Sequence, residues 1–307
     1  MASFFAVFWL EYAQIDPHFK PKQLAGFMVT CAILLLVGVL DDKFSLPASI
    51  QLASHVVVAL TLVVVGMGIE QITNPVGGKI DLNLWQYGIP VGGVDHFLTL
   101  PADLLTVLWV VLVINSLNWL DGLDGLATGV GMISAIAIAL LSLSAVVSQP
   151  HVALLAMIFA GALAGFLVFN FQPAKIFLGT VGSTFIGFMI ATLAIISGGK
   201  IATALLVLGV PVLDAIVVIF RRFRRGGRAW TPGTDHLHHL FLAKGFGVRR
   251  TVVTIYLLTA TFGALALLAG TTGRKALAFI LLLGVMGIVL VWLARTPDVP
   301  KHKAGKP

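Results

Sequence analysis

Asn115, Asn118, Asp121 and Asp124 recur at intervals of three in the segment "NSLNWLDGLDGLATG". On a helix this spacing keeps neighbours on one face, with a slow drift around the axis. Gly122, Gly125 and Gly129 allow the backbone to break there or to approach a ligand closely. Carboxylates and carboxamides gathered without cysteine suit a hard cation. Magnesium prefers oxygen ligands and commonly bridges one or two carboxylates to substrate phosphates. Other polar groups keep this company. Asp41 and Asp42 form a pair in "LDDKF", Asn170 lies in "FNFQPAK", Thr180 and Ser183 follow it, Asp214 lies in "PVLDAI", and His236, His238 and His239 form "DHLHHLF". The histidine spacing does not match the i, i+4 pattern that binds zinc on a helix. Next to so many arginines it fits phosphate contact or uncharged hydrogen bonding better.

The elements that must carry these residues are set by composition. Apolar residues make up 58% of the 307 and charged residues 11%, with a mean hydropathy of +1.01. Soluble domains run near 45–50% apolar and about 25% charged. Soluble, disordered and fibrous classes are therefore excluded, and the fold class expected is all-α, a polytopic membrane helix bundle. Ten spans are expected, at about 2–14, 24–40, 49–68, 102–119, 126–147, 151–170, 176–197, 201–220, 251–270 and 276–294. The first is too short to cross alone and reads as the remainder of a longer helix. One integral membrane domain is expected over 1–294, with a basic, disordered tail over 295–307. The single cysteine, Cys31, cannot form an internal disulfide or a cysteine metal cluster.

Charge inside or beside a span is expensive and marks function by default. All the residues named above fall at the ends of spans on one side. If that side is cytoplasmic, it holds fourteen of the twenty Lys and Arg, eight of them in 221–250. The excess agrees with the positive-inside rule. The net charge of +7 is then topogenic, not a sign of nucleic acid binding. The opposite side carries the long connection 69–100, whose turn residues and alternating "KIDLNLW" predict a small hairpin. Its carboxylates (Asp16, Glu70, Asp81 and Asp95) show no spacing pattern. Magnesium and phosphate chemistry at one face of a multi-span protein points to phosphoryl transfer onto a lipid.

Five stretches, "LLLVGVLDDKFSLPASIQL", "NSLNWLDGLDGLATG", "FNFQPAKIFLGTVGST", "PVLDAIVVIFRRFRRG" and "TPGTDHLHHLF", together resemble the polyprenyl-phosphate N-acetylhexosamine-1-phosphate transferases. This is the superfamily of the phospho-N-acetylmuramoyl-pentapeptide translocase. The His-x-His-His spacing resembles the branch that transfers N-acetylglucosamine-1-phosphate. The resemblance implies transfer of a sugar-1-phosphate from a UDP-sugar to polyprenyl phosphate (undecaprenyl phosphate in a bacterium), releasing UMP, at the cytoplasmic face of the cell membrane. It implies Mg²⁺, with Mn²⁺ as the alternative, and a homodimer as the assembly. Asn118 and the residue at 180 would hold the metal. Asp124 would lie near the uracil end, and Asn115, Asn170, Lys175 and Arg224 would complete the substrate contacts. Asp41 and Asp42 would face the lipid phosphate. With Asp121, His236, His238 and His239 they form the implied catalytic set.

The chain departs from the family pattern at four places. Thr180 stands where the pattern Gly-Asp-x-Gly-Ser has its aspartate, and a hydroxyl is a poor substitute for a carboxylate on Mg²⁺. Gly233 replaces the Asp three residues before the first histidine. Gln51 replaces a basic residue, and the chain starts inside what should be the second span. A catalytically weakened homologue is therefore the alternative reading. A CDP-alcohol phosphatidyltransferase would need an Ala-Arg after its first Asp-Gly, which "DGLDGLATG" lacks. A secondary transporter would place polar groups near the midplane.

Overall fold

The computed structural model describes residues 21–294 apart from 75–77, 92–93, 146, 199–200, 225, 227–234 and 270–271. The expected first span, the tail, Arg225, Arg228 and Gly233 lie outside the described residues. The helices are α1 (Pro21–Phe44), α2 (Ala48–Val64), α3 (Ala102–Leu120), α4 (Leu126–Leu143), α5 (Pro150–Asn170), α6 (Gly179–Ile196), α7 (Ile201–Val207), α8 (Gly209–Arg224), α9 (Leu237–Ala243), α10 (Val248–Leu268) and α11 (Thr272–Ala294). Between α2 and α3 lie four short strands: β1 (Gln71–Thr73), β2 (Lys79–Asp81), β3 (Trp85–Val91) and β4 (Val94–Leu100).

Seven of these helices (α1, α3, α4, α5, α6, α10 and α11) are long and apolar enough to cross a membrane, and the chain is a multi-pass membrane protein. The span expected at 49–68 is the shorter apolar helix α2. The one expected at 201–220 is divided at Leu208 into α7 and α8. Pro211 has no N–H to give the carbonyl of Val207, so the ladder loses a rung at the division. The single hairpin expected in 69–100 is two separate antiparallel ribbons, β1–β2 and β3–β4.

Helices α4 and α6 form the centre, each with 72% of its span buried, whereas α11 has only 28%. Without a hydrophobic force between helices in lipid, close approach depends on small residues. Two glycines on either side of α6 do this work. A Cβ on Gly38 of α1 would lie 2.7 Å from Val181 Cα, and one on Gly187 of α6 would lie 2.6 Å from Ile114 Cα of α3. These contacts bring the C-terminal ends of α1 and α3 beside the N-terminal end of α6. Because successive helices run in opposite directions, both ribbons lie at the other end of the bundle.

Candidate active site at one end of the bundle

Helix α3 stops at Leu120. The turn at 121–125 follows, with Asp121 N bonded to Asn118 O at 3.3 Å and Gly122 N to Leu120 O at 2.8 Å. Gly125, at φ +78°, is the left-handed residue from which α4 starts. The reading of Asp121 and Asp124 as neighbours on one helical face is therefore corrected. The three-residue spacing is real, but the helix that would give it that meaning ends before Asp121. Asn115 and Asn118 lie on α3 and Asp121 caps its end, while Asp124 turns to another segment. Its Oδ2 accepts from Ala174 N at 3.0 Å and so holds the loop between α5 and α6.

Asp41 and Asp42 divide the tasks of their pair. Asp41 is buried and fully partnered. Its Oδ1 accepts from Leu46 N at 2.8 Å and from Gln51 Nε2 at 2.9 Å, and its Oδ2 accepts from the Thr180 hydroxyl at 2.6 Å. It braces α1, α2 and α6 together. Asp42 is exposed and meets the start of α6, accepting from Thr180 N at 2.7 Å. A carboxylate is favoured there because the first amides of a helix lack partners and carry positive partial charge. Ser183 donates to Asn118 Oδ1 at 2.8 Å, which fixes the carboxamide of α3 against α6.

Asp42, Asp121 and Asp124 thus crowd one corner. Among the described residues none of them is ion-paired with a Lys or Arg. Burial pushes the Asp121 carboxyl up to about 7, and the negative charges of Asp42 and Asp124 push in the same direction. The expected metal pair is arranged differently. The Thr180 hydroxyl donates its hydrogen bond to Asp41, and Asn118 Oδ1 already accepts from Ser183. No three His, Cys, Asp or Glu among the described residues converge as a metal-holding group.

The histidines adjoin this corner. His238 is fully buried, and a Cβ on Gly122 would lie 2.3 Å from its Nε2, so the ring fills the space over the acidic turn. Neither ring nitrogen of His238 has a hydrogen-bond partner among the described residues. Burial, then the neighbouring His239 and His236, holds its pKa down to about 3. His239 is also lowered, by burial first and then by His236. His236 stacks with His238 at 5.9 Å and lies 5.7 Å from the ring of Trp119. Its Nδ1 meets Asp214 Oδ2 at 2.8 Å, and Asp214 Oδ1 accepts from Leu237 N at 2.7 Å. Asp214 stands outside the expected site set, yet it ties α8 to the histidine segment. Its signal was an acid buried in the apolar helix α8, a placement that asks for a partner.

Of the expected substrate contacts, Asn170 is buried and bonded at both ends of its amide, to Thr128 Oγ1 at 2.8 Å and Ile176 O at 3.0 Å. It holds a helix end together. Asn115 donates to Val111 O at 2.7 Å and lies near the buried His55 of α2. Lys175 is exposed on the loop that Asp124 holds. Arg224 is exposed beside the ring of Phe220, and the buried Arg222 lies 3.8 Å from Asp235. The acidic corner, the histidines and the basic end of α8 are therefore brought to one end of the bundle.

A model of the family described as glycosyl transferase family 4 matches residues 24–198, more than half of the chain. The chain is a member of glycosyl transferase family 4. It is 30% identical over 255 residues to a Bacillus subtilis (strain 168) protein named probable undecaprenyl-phosphate N-acetylglucosaminyl 1-phosphate transferase, covering 81% of this chain and 66% of that protein. It is 32% identical over 308 residues to the decaprenyl-phosphate N-acetylglucosaminephosphotransferase of Mycolicibacterium smegmatis, covering 92% and 71%. The undecaprenyl-phosphate alpha-N-acetylglucosaminyl 1-phosphate transferase of Escherichia coli K12 is 28% identical over 256 residues, covering 80% and 65%. The chain spans only about 65–71% of the length of these three curated relatives. The family match includes Asp41, Asp42, Asn118, Asp121, Asp124 and Thr180. It ends before Asp214 and the histidines.

Proposed function

We propose that this family 4 glycosyl transferase moves N-acetylglucosamine-1-phosphate from its UDP-sugar to polyprenyl phosphate at the cytoplasmic face of the cell membrane. The observation that carries the proposal is the corner of Asp42, Asp121 and Asp124, which has no Lys or Arg ion-paired to it among the described residues, at the end of the bundle that is rich in Lys and Arg. The names of the relatives supply the substrate class. A phosphate oxygen of the lipid attacks the β-phosphorus of the UDP-sugar. The bond from that phosphorus to the bridging oxygen breaks, and UMP leaves with the electron pair. A phosphate monoester with a second pKa near 6 is mostly a dianion at neutral pH, so the attacking oxygen needs no base.

The oxygen-only donors fit Mg²⁺. Asp42, Asp121 and Asn118 would hold it, with substrate phosphates completing the coordination. Bound there, it would neutralise charge on the phosphate oxygens as they react. The chain's own groups do the rest. Asp124 holds the loop over the nucleotide end, the histidines line the other wall with their rings neutral, and Asp214 fixes His236. Arg222 and Arg224 attract the anionic substrates.

UDP-N-acetylglucosamine labelled with ³²P at the β-phosphate, incubated with the reconstituted chain and undecaprenyl phosphate, tests the reaction. The label is expected to enter the organic phase only with Mg²⁺, with unlabelled UMP released. Label retained in UDP while the sugar alone moves would overturn phosphoryl transfer. The weakened-homologue reading rests on Thr180, and it predicts transfer only at high Mg²⁺.

A further inference from the structure

The ribbon β3–β4 lies at the end of the bundle opposite the acidic corner, and it has two unlike faces. In its register Trp85 pairs with Leu100 and Tyr87 with Leu98, while Gln86 pairs with Thr99. Directly opposed residues share a face and alternate residues return to it. Trp85, Tyr87, Leu98 and Leu100 therefore lie together, and Gln86 and Thr99 lie on the other side. All four residues of the first face are open, at 62%, 58%, 37% and 36% of their full exposure. Contiguous exposed apolar surface of this type marks a contact with something outside the fold. A two-stranded ribbon is also marginal alone in water and needs such a contact.

What covers the face is indicated by its continuation. β4 enters α3 through Pro101 with no linker. Just beyond Leu100, Leu104 and Leu108 stand at i and i+4 on α3, on one stripe of that helix. Leu104 and Leu108 are 54% and 57% exposed on a span that crosses the membrane. Asp103, in the first turn of α3, accepts from Thr99 N of β4 at 2.5 Å and fixes the ribbon's angle on the helix. The apolar face thus adjoins, through Pro101 alone, the outer end of a span whose Leu104 and Leu108 are exposed. Trp and Tyr are the residues enriched where acyl chains give way to headgroups.

We infer that the Trp85–Tyr87–Leu98–Leu100 face is a docking surface for the phospholipid interface of the outer leaflet. The ribbon lies on the bilayer with Gln86 and Thr99 toward water, in the manner of amphipathic segments that seat their apolar face at the headgroup boundary. This inference is independent of the transferase reading, since no residue of the acidic corner takes part.

Single cysteines Tyr87→Cys, Leu98→Cys and Gln86→Cys, each with Cys31→Ala, test it in the full chain in nanodiscs of phosphatidylethanolamine and phosphatidylglycerol. A nitroxide at each is exposed to oxygen, which concentrates in lipid, and to a nickel chelate, which stays in water. Leu104→Cys gives the lipid reference. Oxygen is expected to dominate at 87 and 98, and nickel at 86. The two lipid-side probes sit on cross-strand neighbours, so either one reads the face if the other variant fails to fold. Nickel dominance at 87 and 98 means the face stands in water and overturns the inference. Protection from both reagents there assigns the face to a second copy or another protein and overturns it equally.

Discussion

Thr180→Asp places an acceptor where Asp41 now finds a donor. The Thr180 hydroxyl reaches Asp41 Oδ2 at 2.6 Å, and Asp41 is only 9% exposed. Two carboxylates about 3 Å apart repel by roughly 5–6 kcal/mol at an effective dielectric constant near 20. The lost hydrogen bond to a charged group adds about 1.5–3 kcal/mol. Proton uptake limits the damage. Moving one carboxyl from a pKa near 4 to above pH 7 costs about 1.4 kcal/mol per unit, or roughly 4 kcal/mol. The protonated group can again donate to Asp41. The smaller cost prevails, so the variant is expected to lose about 4 kcal/mol at pH 7 without divalent cations. The new carboxyl is raised in the folded state. Its penalty is therefore absent below about pH 4 and grows as pH rises toward the folded value. Thermal unfolding of purified chain in EDTA at pH 5.5 and 7.5 reads this, with a much larger deficit expected at pH 7.5. Mg²⁺ should return most of the deficit, raise sugar-phosphate transfer and lower its Mg²⁺ requirement. Gln51 Nε2 donates to the same carboxylate at 2.9 Å, so adding Gln51→Lys should restore stability even in EDTA. A Thr180→Asp chain as stable as its parent at pH 7.5 in EDTA would refute the account of Asp41 as a closed brace.

Asp121→Asn removes a carboxyl held up to about 7 by burial and like charge. In EDTA it should stabilise the chain at pH 8, with the gain fading as pH falls toward 4, while transfer is abolished; a constant offset across that range would contradict the assignment. Asp214→Asn keeps an acceptor for Leu237 N but presents a donor to His236 Nδ1, so transfer should fall at least tenfold through kcat, with the pH profile displaced. An unchanged profile would mean that Asp214 only supports the fold. Asp124→Ala frees the loop at Ala174 and should weaken UDP-sugar binding more than polyprenyl-phosphate binding, as titrations of each substrate would measure. Cysteines at Asn83 and Arg228 should react with an impermeant reagent from opposite sides of oriented membranes, and labelling from one side would reverse the shared-face argument.

Much of this molecule was legible as a string of residues. The apolar fraction dictates a membrane bundle because no other solvent accepts so much apolar surface. The rarity of charge made each Asp near a span conspicuous, and the helix ends at Phe44, Leu120 and Asn170 fall beside the polar residues. Glycine and proline set breaks that sequence reading could place, as at Gly125, or overlook, as at Pro211. Tertiary structure alone decided how those polar groups are paired. Thr180 and Asp41 are 139 positions apart and Asp214 and His236 are 22 apart. Spacing along one helix carries no information about such partners. The intervals of three suggested one common face, yet the chain leaves the helix at Asp121, and only the fold sends Asp124 to Ala174 and Asp121 toward Asp42. A sequence states which groups must be satisfied once they are buried. The packing of α1, α3 and α6, close enough only because Gly38 and Gly187 lack side chains, determines which donors and charges come within reach.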